Sequence, residues 1–357
     1  MKKAQKIIII SILLLVIALI SAFVARKVIF FTPNTIHATL TIPKHTTFNQ
    51  VVDSLTKNNI VKNIKTFKIA SKILKYDQNV MRGRYEIKAN ETNYQLIKKL
   101  RKGQRYPVTF TFNNVRTLPD FLQRTENKFL FSTQELQKLL ENEDFLTSIG
   151  FTKEILPALF IPDTYQIYYD IDADEFVEKF LSIYRNFWND KRLEQASAIS
   201  LTPIEVVILA SIVEEENHKE FEKPIIAGVY INRLRKGMRL QADPTVKFAV
   251  GDVTMQRILF KHLETDSPYN TYMYAGLPPG PIRFPAPSTI DSVLQYTKHN
   301  YLYMCAKEDF SGAHNFAVTL AEHERNAAKY RNALNKLKIK RQKSVSLHLH
   351  WLRSSAE

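Results

Sequence analysis

The stretch "TPIEVVILASIVEEE" at residues 202–216 decides the fold, because it predicts a helix that is buried on every side. Thr202 can cap this helix, Pro203 suits its first position, and Glu205 completes a capping box. The residues that follow are apolar on all sides of the helix, which is typical of a helix inside the core of a large domain. We therefore expect a globular domain built around this segment.

The predicted helix ends in three consecutive glutamates, Glu214, Glu215 and Glu216. Glu214 continues the side of the helix that carries Val207 and is already interior, whereas the next two glutamates turn away by about 100° each. Burial and the negative end of the helix dipole both raise the pKa of a carboxyl group. A carboxylic acid that keeps its proton near neutral pH is what a general acid requires. The same pattern also fits three glutamates that are solvated where the helix emerges.

The segments that follow favour a groove for a polar polymer. A second helix is predicted from Pro224 to a stop at Gly237, and residues 267–288 are too rich in proline for a regular helix or a central strand. Tyrosine and asparagine in such a loop offer flat apolar faces and hydrogen-bonding edges, which suit a sugar. Asp243 also fits a structural role in the turn before Pro244. The candidates for contact with substrate are Asn232, Gln241, Asp243, Tyr269, Asn270 and Tyr272.

The N-terminal region predicts a single membrane span. Residues 7–24 carry no charge and no proline, and as a helix they cover about 27 Å, close to the thickness of a bilayer core. Basic residues flank both ends, and the free amino terminus adds positive charge to the near side. We therefore expect residues 1–6 in the cytoplasm, residues 7–24 across the cell inner (cytoplasmic) membrane, and the chain after about residue 30 outside. A cleaved signal peptide is the alternative, although the apolar run is long for one.

The remaining pattern predicts two folded regions of the α+β class. The chain has 357 residues, of which 45% are hydrophobic, and this is enough for two domains. Residues 33–104 read as a small module of strand, two helices, strand and a trailing helix. Residues 105–340 read as a larger, mainly helical domain with some strands. Residues 341–357 read as a basic tail.

The net charge indicates which classes of partner the protein can bind, and the single cysteine excludes an intrachain disulfide. A formal net charge of +15 suits a nucleic acid, an anionic membrane surface or an acidic polymer. The sequence carries no pattern typical of a nucleic-acid-binding domain, so we expect no nucleic acid as partner. Cys305 is the only cysteine, which rules out an intrachain disulfide, and its apolar surroundings predict a small core residue.

Several segments resemble the signatures of one family. In chain order they are "FIPDTY", "ASIVEEE", "INRLRKGMRLQADPTV", "SPYNTY", "GLPPGPI" and "HNFAVTLAEH", spread over about residues 160–325. They resemble the YceG-like, MltG-type endolytic murein transglycosylases. The chain departs from that pattern just before "FIPDTY", where it reads "PALF" in place of the usual Glu-Gly pair. One contact of the groove or of the packing is therefore expected to differ.

The resemblance implies a membrane-anchored enzyme that cuts and terminates nascent peptidoglycan strands. The expected reaction cleaves between N-acetylmuramic acid and N-acetylglucosamine without water and leaves a 1,6-anhydro end. It implies that Glu214 is the catalytic acid and base, that residues 33–104 form a LysM-like subdomain, and that no cofactor or metal is needed. The expected partners are peptidoglycan glycan strands, the membrane and cell-wall synthesis enzymes.

Two other functions compete with this interpretation. A non-catalytic scaffold could hold glycan strands for cell-wall synthesis enzymes through the LysM-like module and the basic surface. A metal hydrolase would need ligands such as His218, His314 and His323, but the sequence lacks a His-x-x-x-His pair on a helix.

Overall fold

The computed structural model describes residues 2–217, 219–252, 255 and 257–354, with the backbone alone at residues 2, 4 and 339–354. The chain forms two compact units. The small unit contains Met1–Phe110, Arg124–Leu136 and Thr164–Phe176, and the large unit contains the rest. The mixture of helices and short sheets confirms the predicted α+β class, while the domain boundaries and the LysM-like character of residues 33–104 stay predictions.

The small unit begins with a long apolar helix and continues as a compact module. Its core is built from the apolar sides of the helices and of one antiparallel strand pair, in which Ala38 lies opposite Ile87 and Ile42 opposite Gly83. Capping boxes start two of the helices, at Thr47 and at Thr92. Its elements are α1 (Lys2–Arg26), a π-helical turn (Lys27–Phe31), β1 (Ala38–Ile42), α2 (Phe48–Lys57), α3 (Ile64–Ile73), β2 (Gly83–Ile87) and α4 (Asn93–Arg101).

The predicted membrane span is part of an uninterrupted apolar helix. Among the described residues, Gln5–Phe31 is the one unbroken helical segment long and apolar enough to cross a membrane, and its most apolar 18-residue stretch is not buried in the protein. Ile29 and Phe30 pack against the core of the small unit, and the Asn93 side chain donates a hydrogen bond of 2.6 Å to the Ile29 carbonyl. The helix is consistent with a single-pass anchor that enters the folded module directly.

A cluster of ion pairs holds the segment around residue 170 within the small unit. Asp170 is fully buried and accepts a hydrogen bond of 2.5 Å from Arg105. Arg82 binds both carboxylate oxygens of Glu175, at 2.9 and 2.8 Å. A buried carboxylate is tolerated only when it is paired in this way.

The remaining elements follow in chain order. They are β3 (Pro107–Phe112), α5 (Leu118–Thr125), α6 (Thr133–Glu141), α7 (Glu143–Ser148), a 3₁₀ turn (Leu156–Ala158), β4 (Asp163–Tyr168), α8 (Ala173–Phe187), α9 (Asp190–Ala198), α10 (Pro203–Glu216), α11 (Lys223–Arg235), α12 (Asp243–Val250), α13 (Phe260–Leu263), α14 (Pro287–Leu294), β5 (Tyr303–Ala306), β6 (His314–Ala317) and α15 (Leu320–Ser354). Strands β3 and β4 pair, and β5 pairs with β6 in an antiparallel ladder.

Helix α10 is the centre of the large unit, as the sequence predicts. Its residues 206–213 are all buried, and it packs against α9, α11, α12 and α14. The predicted cap is present, because the Thr202 hydroxyl accepts from the Glu205 N–H and the Glu205 carboxylate accepts from the Thr202 N–H. The Ser211 hydroxyl accepts a hydrogen bond of 3.0 Å from the Ile282 N–H, which fixes the proline-rich loop on the helix.

Three sequence expectations meet a different local structure. Asp243 starts helix α12 rather than holding an isolated turn, and Gln241 just before it has a left-handed backbone. Cys305 lies in β5 and is only partly buried instead of belonging to the predicted core. The predicted basic tail is helical through Ser354, where α15 ends, and residues 355–357 lie outside the described part of the chain.

Candidate active site

The three glutamates that end α10 have different partners. Glu214 receives a hydrogen bond of 2.6 Å from the Ala286 N–H at the start of α14, and its other oxygen lies 3.2 Å from the Arg283 guanidinium. Glu215 binds Arg116 through two hydrogen bonds of 2.9 and 3.0 Å. A third hydrogen bond, of 2.6 Å, joins Glu215 to Arg283. Both carboxylates are therefore ion-paired.

Arg283 is the cation that both carboxylates share. Its side chain is only 2% exposed, and it also donates a hydrogen bond of 2.7 Å to the Asn114 side chain. A buried guanidinium needs such partners, because its charge is otherwise very costly to remove from water. The loop that carries Arg283 is thus bound to the end of α10.

Glu216 has no arginine or lysine within ion-pair distance among the described residues and instead accepts a hydrogen bond of 2.5 Å from the Tyr230 hydroxyl. Burial raises the pKa of Glu216 from 4.5 to about 7. The Tyr230 hydrogen bond lowers the pKa, the nearby Asp243 charge raises it, and Arg233 lowers it again, so burial is the effect that dominates. A carboxyl group with such a pKa can give and take a proton near neutral pH.

Glu216 lines a pocket of about 400 Å³ in the large unit. Three of the predicted substrate-binding residues, Gln241, Asp243 and Tyr272, line the same pocket. The Tyr272 hydroxyl donates a hydrogen bond of 2.6 Å to the Asp243 carboxylate. Burial and this hydrogen bond raise the pKa of Tyr272 well above its usual range. The structure thus brings these three residues together with Glu216, while Glu214 is not among the residues that line the pocket.

Arg233 forms a rigid wall of the pocket. Its guanidinium donates hydrogen bonds of 2.6 Å to the Leu302 carbonyl and 2.7 Å to the Leu240 carbonyl, which tie α11 to the chain on both sides. It also contacts the Gln241 side chain at 3.5 Å. A fixed positive charge therefore lies in the same pocket as the Asp243 carboxylate and Glu216.

The other three predicted contact residues are engaged elsewhere. Asn270 is fully buried, and its side chain donates two hydrogen bonds of 2.9 Å, to the Leu263 and Thr265 carbonyls. Asn232 donates hydrogen bonds of 2.7 and 3.0 Å to carbonyls of the segment before β5. Tyr269 packs on Phe248 with ring centroids 4.7 Å apart, and burial raises the pKa of Tyr269 to about 12. None of the three lines the pocket, and a contact with substrate stays a prediction for each.

His314 and Glu222 form a pair at the pocket that the sequence did not predict. Glu222 is 3% exposed and accepts a hydrogen bond of 2.8 Å from the His314 N–H. Its other oxygen lies 2.9 Å from Nδ1 of His314 and also accepts from the Asn217 side chain. His314 lines the pocket, so this pair fixes the orientation of a ring that a ligand can reach. The signal lay in the segment "HNFAVTLAEH", which begins at this histidine.

Two histidines of the competing metal-site hypothesis, His314 and His323, line the same pocket. No group of three or more His, Cys, Asp or Glu side chains that could hold a metal occurs among the described residues. His314 is paired with Glu222, and the His323 ring stacks on Tyr303 with centroids 5.5 Å apart. His218 lies outside the described residues.

Comparisons with family models and with known proteins all point to one family. The model of the YceG-like family matches residues 40–329. The chain is 29% identical over 311 residues to the endolytic murein transglycosylase of Bacillus subtilis strain 168, covering 83% of this chain and 85% of that protein. It is 26% identical over 331 residues to the endolytic murein transglycosylase of Streptococcus pneumoniae serotype 2, covering 83% of this chain and 59% of that protein.

A solved structure has the same fold. It is a YceG-like protein from Listeria monocytogenes, 27% identical in sequence, with a TM-score of 0.53. The match covers 81% of this chain and 98% of that one. The region matched by the family model contains every residue of the pocket that lies beside Glu216.

Proposed function

Because the chain belongs to the YceG-like family, whose model matches residues 40–329, we propose that it is a lytic transglycosylase that cuts the glycan strands of peptidoglycan. The names of the Bacillus and Streptococcus relatives support this activity. The bond is the one between N-acetylmuramic acid and N-acetylglucosamine, and the product carries a 1,6-anhydro end. The apolar helix α1 anchors the enzyme in the cytoplasmic membrane, with the large unit outside.

The single observation that supports a catalytic residue is the place of Glu216 in the pocket, where burial raises its pKa to about 7. Ordinary glycosidases use two carboxylates, whereas a lytic transglycosylase needs one group that first gives and then takes a proton. The pKa of Glu216 is raised to about 7 by burial, which suits both steps near neutral pH. Glu214 and Glu215 are bound to arginines, and neither is among the residues that line the pocket. The geometry therefore favours Glu216 over Glu214.

The proposed reaction uses no water and no second protein nucleophile. Glu216 transfers its proton to the glycosidic oxygen as the bond from that oxygen to C1 of N-acetylmuramic acid breaks. The 6-hydroxyl of the same sugar then forms a bond to C1, and its proton passes to the Glu216 carboxylate, which restores the starting state. The Asp243 carboxylate stabilises the positive charge that develops at C1, and Tyr272 holds Asp243 through its 2.6 Å hydrogen bond.

Glu214 stays the residue that the family resemblance predicts. Its contacts support a positioning role, since it joins the end of α10 to the N–H at the start of α14 and to Arg283. Loss of that role would loosen the loop that carries Arg283 and would lower activity indirectly. The two glutamates must therefore be separated by experiment.

The test is mass spectrometry of peptidoglycan digested by the full-length chain in detergent, beside Glu216→Gln and Glu214→Gln. We expect 1,6-anhydro products from the parent and from Glu214→Gln, and a loss of about a thousandfold or more for Glu216→Gln. Loss of product in Glu214→Gln alone, with unchanged melting temperature, would return the catalytic role to Glu214. Reducing-end products would mean hydrolysis, and intact glycan binding without any product would favour a scaffold.

A further inference from the structure

The positive charge of the protein is concentrated in the small module next to the apolar helix. Residues 33–104 contain fourteen Lys and Arg against four Asp and Glu, which gives +10 of the total +15. The proposed reaction in the large unit uses none of these residues. A charge of this size on one small module is the footprint of an anionic partner.

Helix α3 exposes a face of alternating lysine and isoleucine. Its inner side, with Phe67 and Ala70, is fully buried in the core of the module. On the outer side Ile69 and Ile73 are 46% and 58% exposed. The three outer cations are Lys65, Lys68 and Lys72, all exposed. Isoleucines that lie one turn apart between lysines are typical of a helix that rests at the interface of a bilayer.

Helix α4 adds a pocket of about 380 Å³ with apolar walls and a basic rim. Its walls include Leu74, Tyr94 and Ile97, and the rim carries Lys98, Arg101 and Lys102. The Arg101 side chain donates a hydrogen bond of 3.0 Å to the Leu74 carbonyl, which holds the end of α4 against the end of α3. Cations beside an apolar wall fit a phosphate group that is linked to a hydrocarbon chain.

The pocket lies close to the point where the chain leaves the apolar helix. The rings of Tyr94, which lines the pocket, and Phe31, which ends the π-helical turn, are 5.8 Å apart. Both α3 and α4 pack against that turn. Helix α4 has nine residues and is therefore about 14 Å long. Its basic end thus lies near enough to the end of the apolar helix to reach the lipid headgroups.

We propose that the surface formed by Lys65, Lys68, Ile69, Lys72 and Ile73 of α3 and by the α4 pocket binds anionic phospholipid of the bilayer that holds α1. The two isoleucines enter the boundary between headgroups and acyl chains, and Lys98, Arg101 and Lys102 take the lipid phosphate. The inference rests on charge complementarity and on the continuity of the module with the apolar helix. It is independent of the reaction in the large unit.

The test is amide hydrogen exchange of the full-length chain in lipid nanodiscs, made of phosphatidylcholine alone or with phosphatidylglycerol. We expect the exposed turns of α3 and α4 to exchange several-fold more slowly with phosphatidylglycerol. Each cation at a membrane surface contributes roughly fivefold to partitioning, so the triple variant Lys98→Gln, Arg101→Gln, Lys102→Gln should lose this protection. Raising the salt concentration should weaken it in the parent.

A matched control removes the same charge from another face of the module. Lys57, Lys62 and Lys88 are exposed and lie outside α3 and α4. The variant in which all three become Gln should keep the protection, and an equal loss would mean that the overall charge of the module acts without a defined surface. Equal exchange in the two kinds of nanodisc would overturn the proposal. Protection by a soluble polyphosphate in detergent, but not by phosphatidylglycerol, would assign the surface to an anionic polymer instead.

Discussion

The Tyr230 hydroxyl donates a 2.5 Å hydrogen bond to Oε1 of Glu216, and this bond joins the middle of α11 to the end of α10. It lowers the pKa of Glu216, in opposition to burial, which raises it to about 7. Burial and this hydrogen bond are therefore the two largest effects on the pKa of the proposed acid, and they oppose each other.

Activity should depend on the protonation of Glu216. The free enzyme must carry a proton on this group, so we expect kcat/KM to fall as the pH rises through about 7. The measurement is the rate of release of 1,6-anhydro products between pH 5 and 9 at subsaturating peptidoglycan. A profile that stays flat to pH 9 would contradict the assignment of Glu216 as the acid.

Substitution Tyr230→Phe should move that profile to higher pH. The variant removes the hydrogen bond that lowers the pKa of Glu216, so the pKa rises and the alkaline limb of kcat/KM shifts upward. Activity persists because the acid remains, and the stability cost is about 1 kcal/mol for the lost hydrogen bond. A shift to lower pH would show that the hydroxyl does not stabilise the carboxylate. The control is Tyr269→Phe, outside the pocket, which should leave the profile unchanged.

The raised pKa of Glu216 also predicts that ionisation of this group lowers the free energy of unfolding above neutral pH. A group whose pKa rises from 4.5 to about 7 on folding binds its proton more tightly in the folded state, so its contribution to stability is full below pH 4.5 and is lost as the pH rises through about 7. Glu216→Gln lacks this ionisation. We expect it to be more stable than the parent at pH 8, by at most about 3 kcal/mol, and to lose that gain near pH 4. Urea unfolding at both pH values measures it, and a gain that is the same at pH 4 and pH 8 would exclude the linkage.

Arg283 should be a major determinant of stability. Arg283→Met leaves Glu214, Glu215 and Asn114 without their shared buried donor, and breaking a buried pair costs about 3–5 kcal/mol. The matched variant Arg116→Met removes a guanidinium that is 35% exposed, while Arg283 still binds Glu215, so its cost should be about 1 kcal/mol. Thermal unfolding distinguishes the two, and equal losses would contradict the assigned importance of burial.

His314 should contribute to substrate binding. Glu222 holds Nδ1 of the ring, which leaves Nε2 for a ligand in the pocket, and loss of one hydrogen bond to substrate lowers kcat/KM by about tenfold. The measurement is kcat/KM of His314→Gln beside His323→Gln, whose ring lines the same pocket and stacks on Tyr303. A loss in melting temperature without any change in kcat/KM would give His314 a structural role only.

Local features of the fold were predictable, whereas long-range partners were not. The cap at Thr202, the burial of α10 and the irregular loop after residue 267 follow from neighbouring residues, and all three are present. Arg283, the partner that Glu214 and Glu215 share, lies by contrast on a loop almost seventy residues later, and helical periodicity cannot say which glutamate that loop will cover. Periodicity made Glu214 interior, but it could not show that burial raises the pKa of Glu216 to about 7 in a pocket that Glu214 does not line.

A glycine in the proline-rich loop also has a long-range contact that the sequence does not predict. Gly280 stands in the segment "GLPPGPI", and a Cβ atom there would lie 2.0 Å from the Glu154 carbonyl oxygen. The sequence marks the position as part of a turn, but the reason for glycine is the close approach of a distant backbone. The roles of Asn270 and Asn232 were likewise not predictable from the sequence, because their side chains bind backbone carbonyls that only the folded chain brings within reach.

The direct entry of α1 into the folded module changes how the protein meets its ligands. The Asn93 side chain binds the Ile29 carbonyl, and Ile29 and Phe30 pack against the core of the module, so no extended linker separates the helix from the module. In the membrane-anchored enzyme proposed above, α1 would confine the module to diffusion in two dimensions. A ligand that is itself attached to the same bilayer then meets it at an effective concentration set by membrane area rather than by volume, so contacts that are weak in solution are enough for high occupancy.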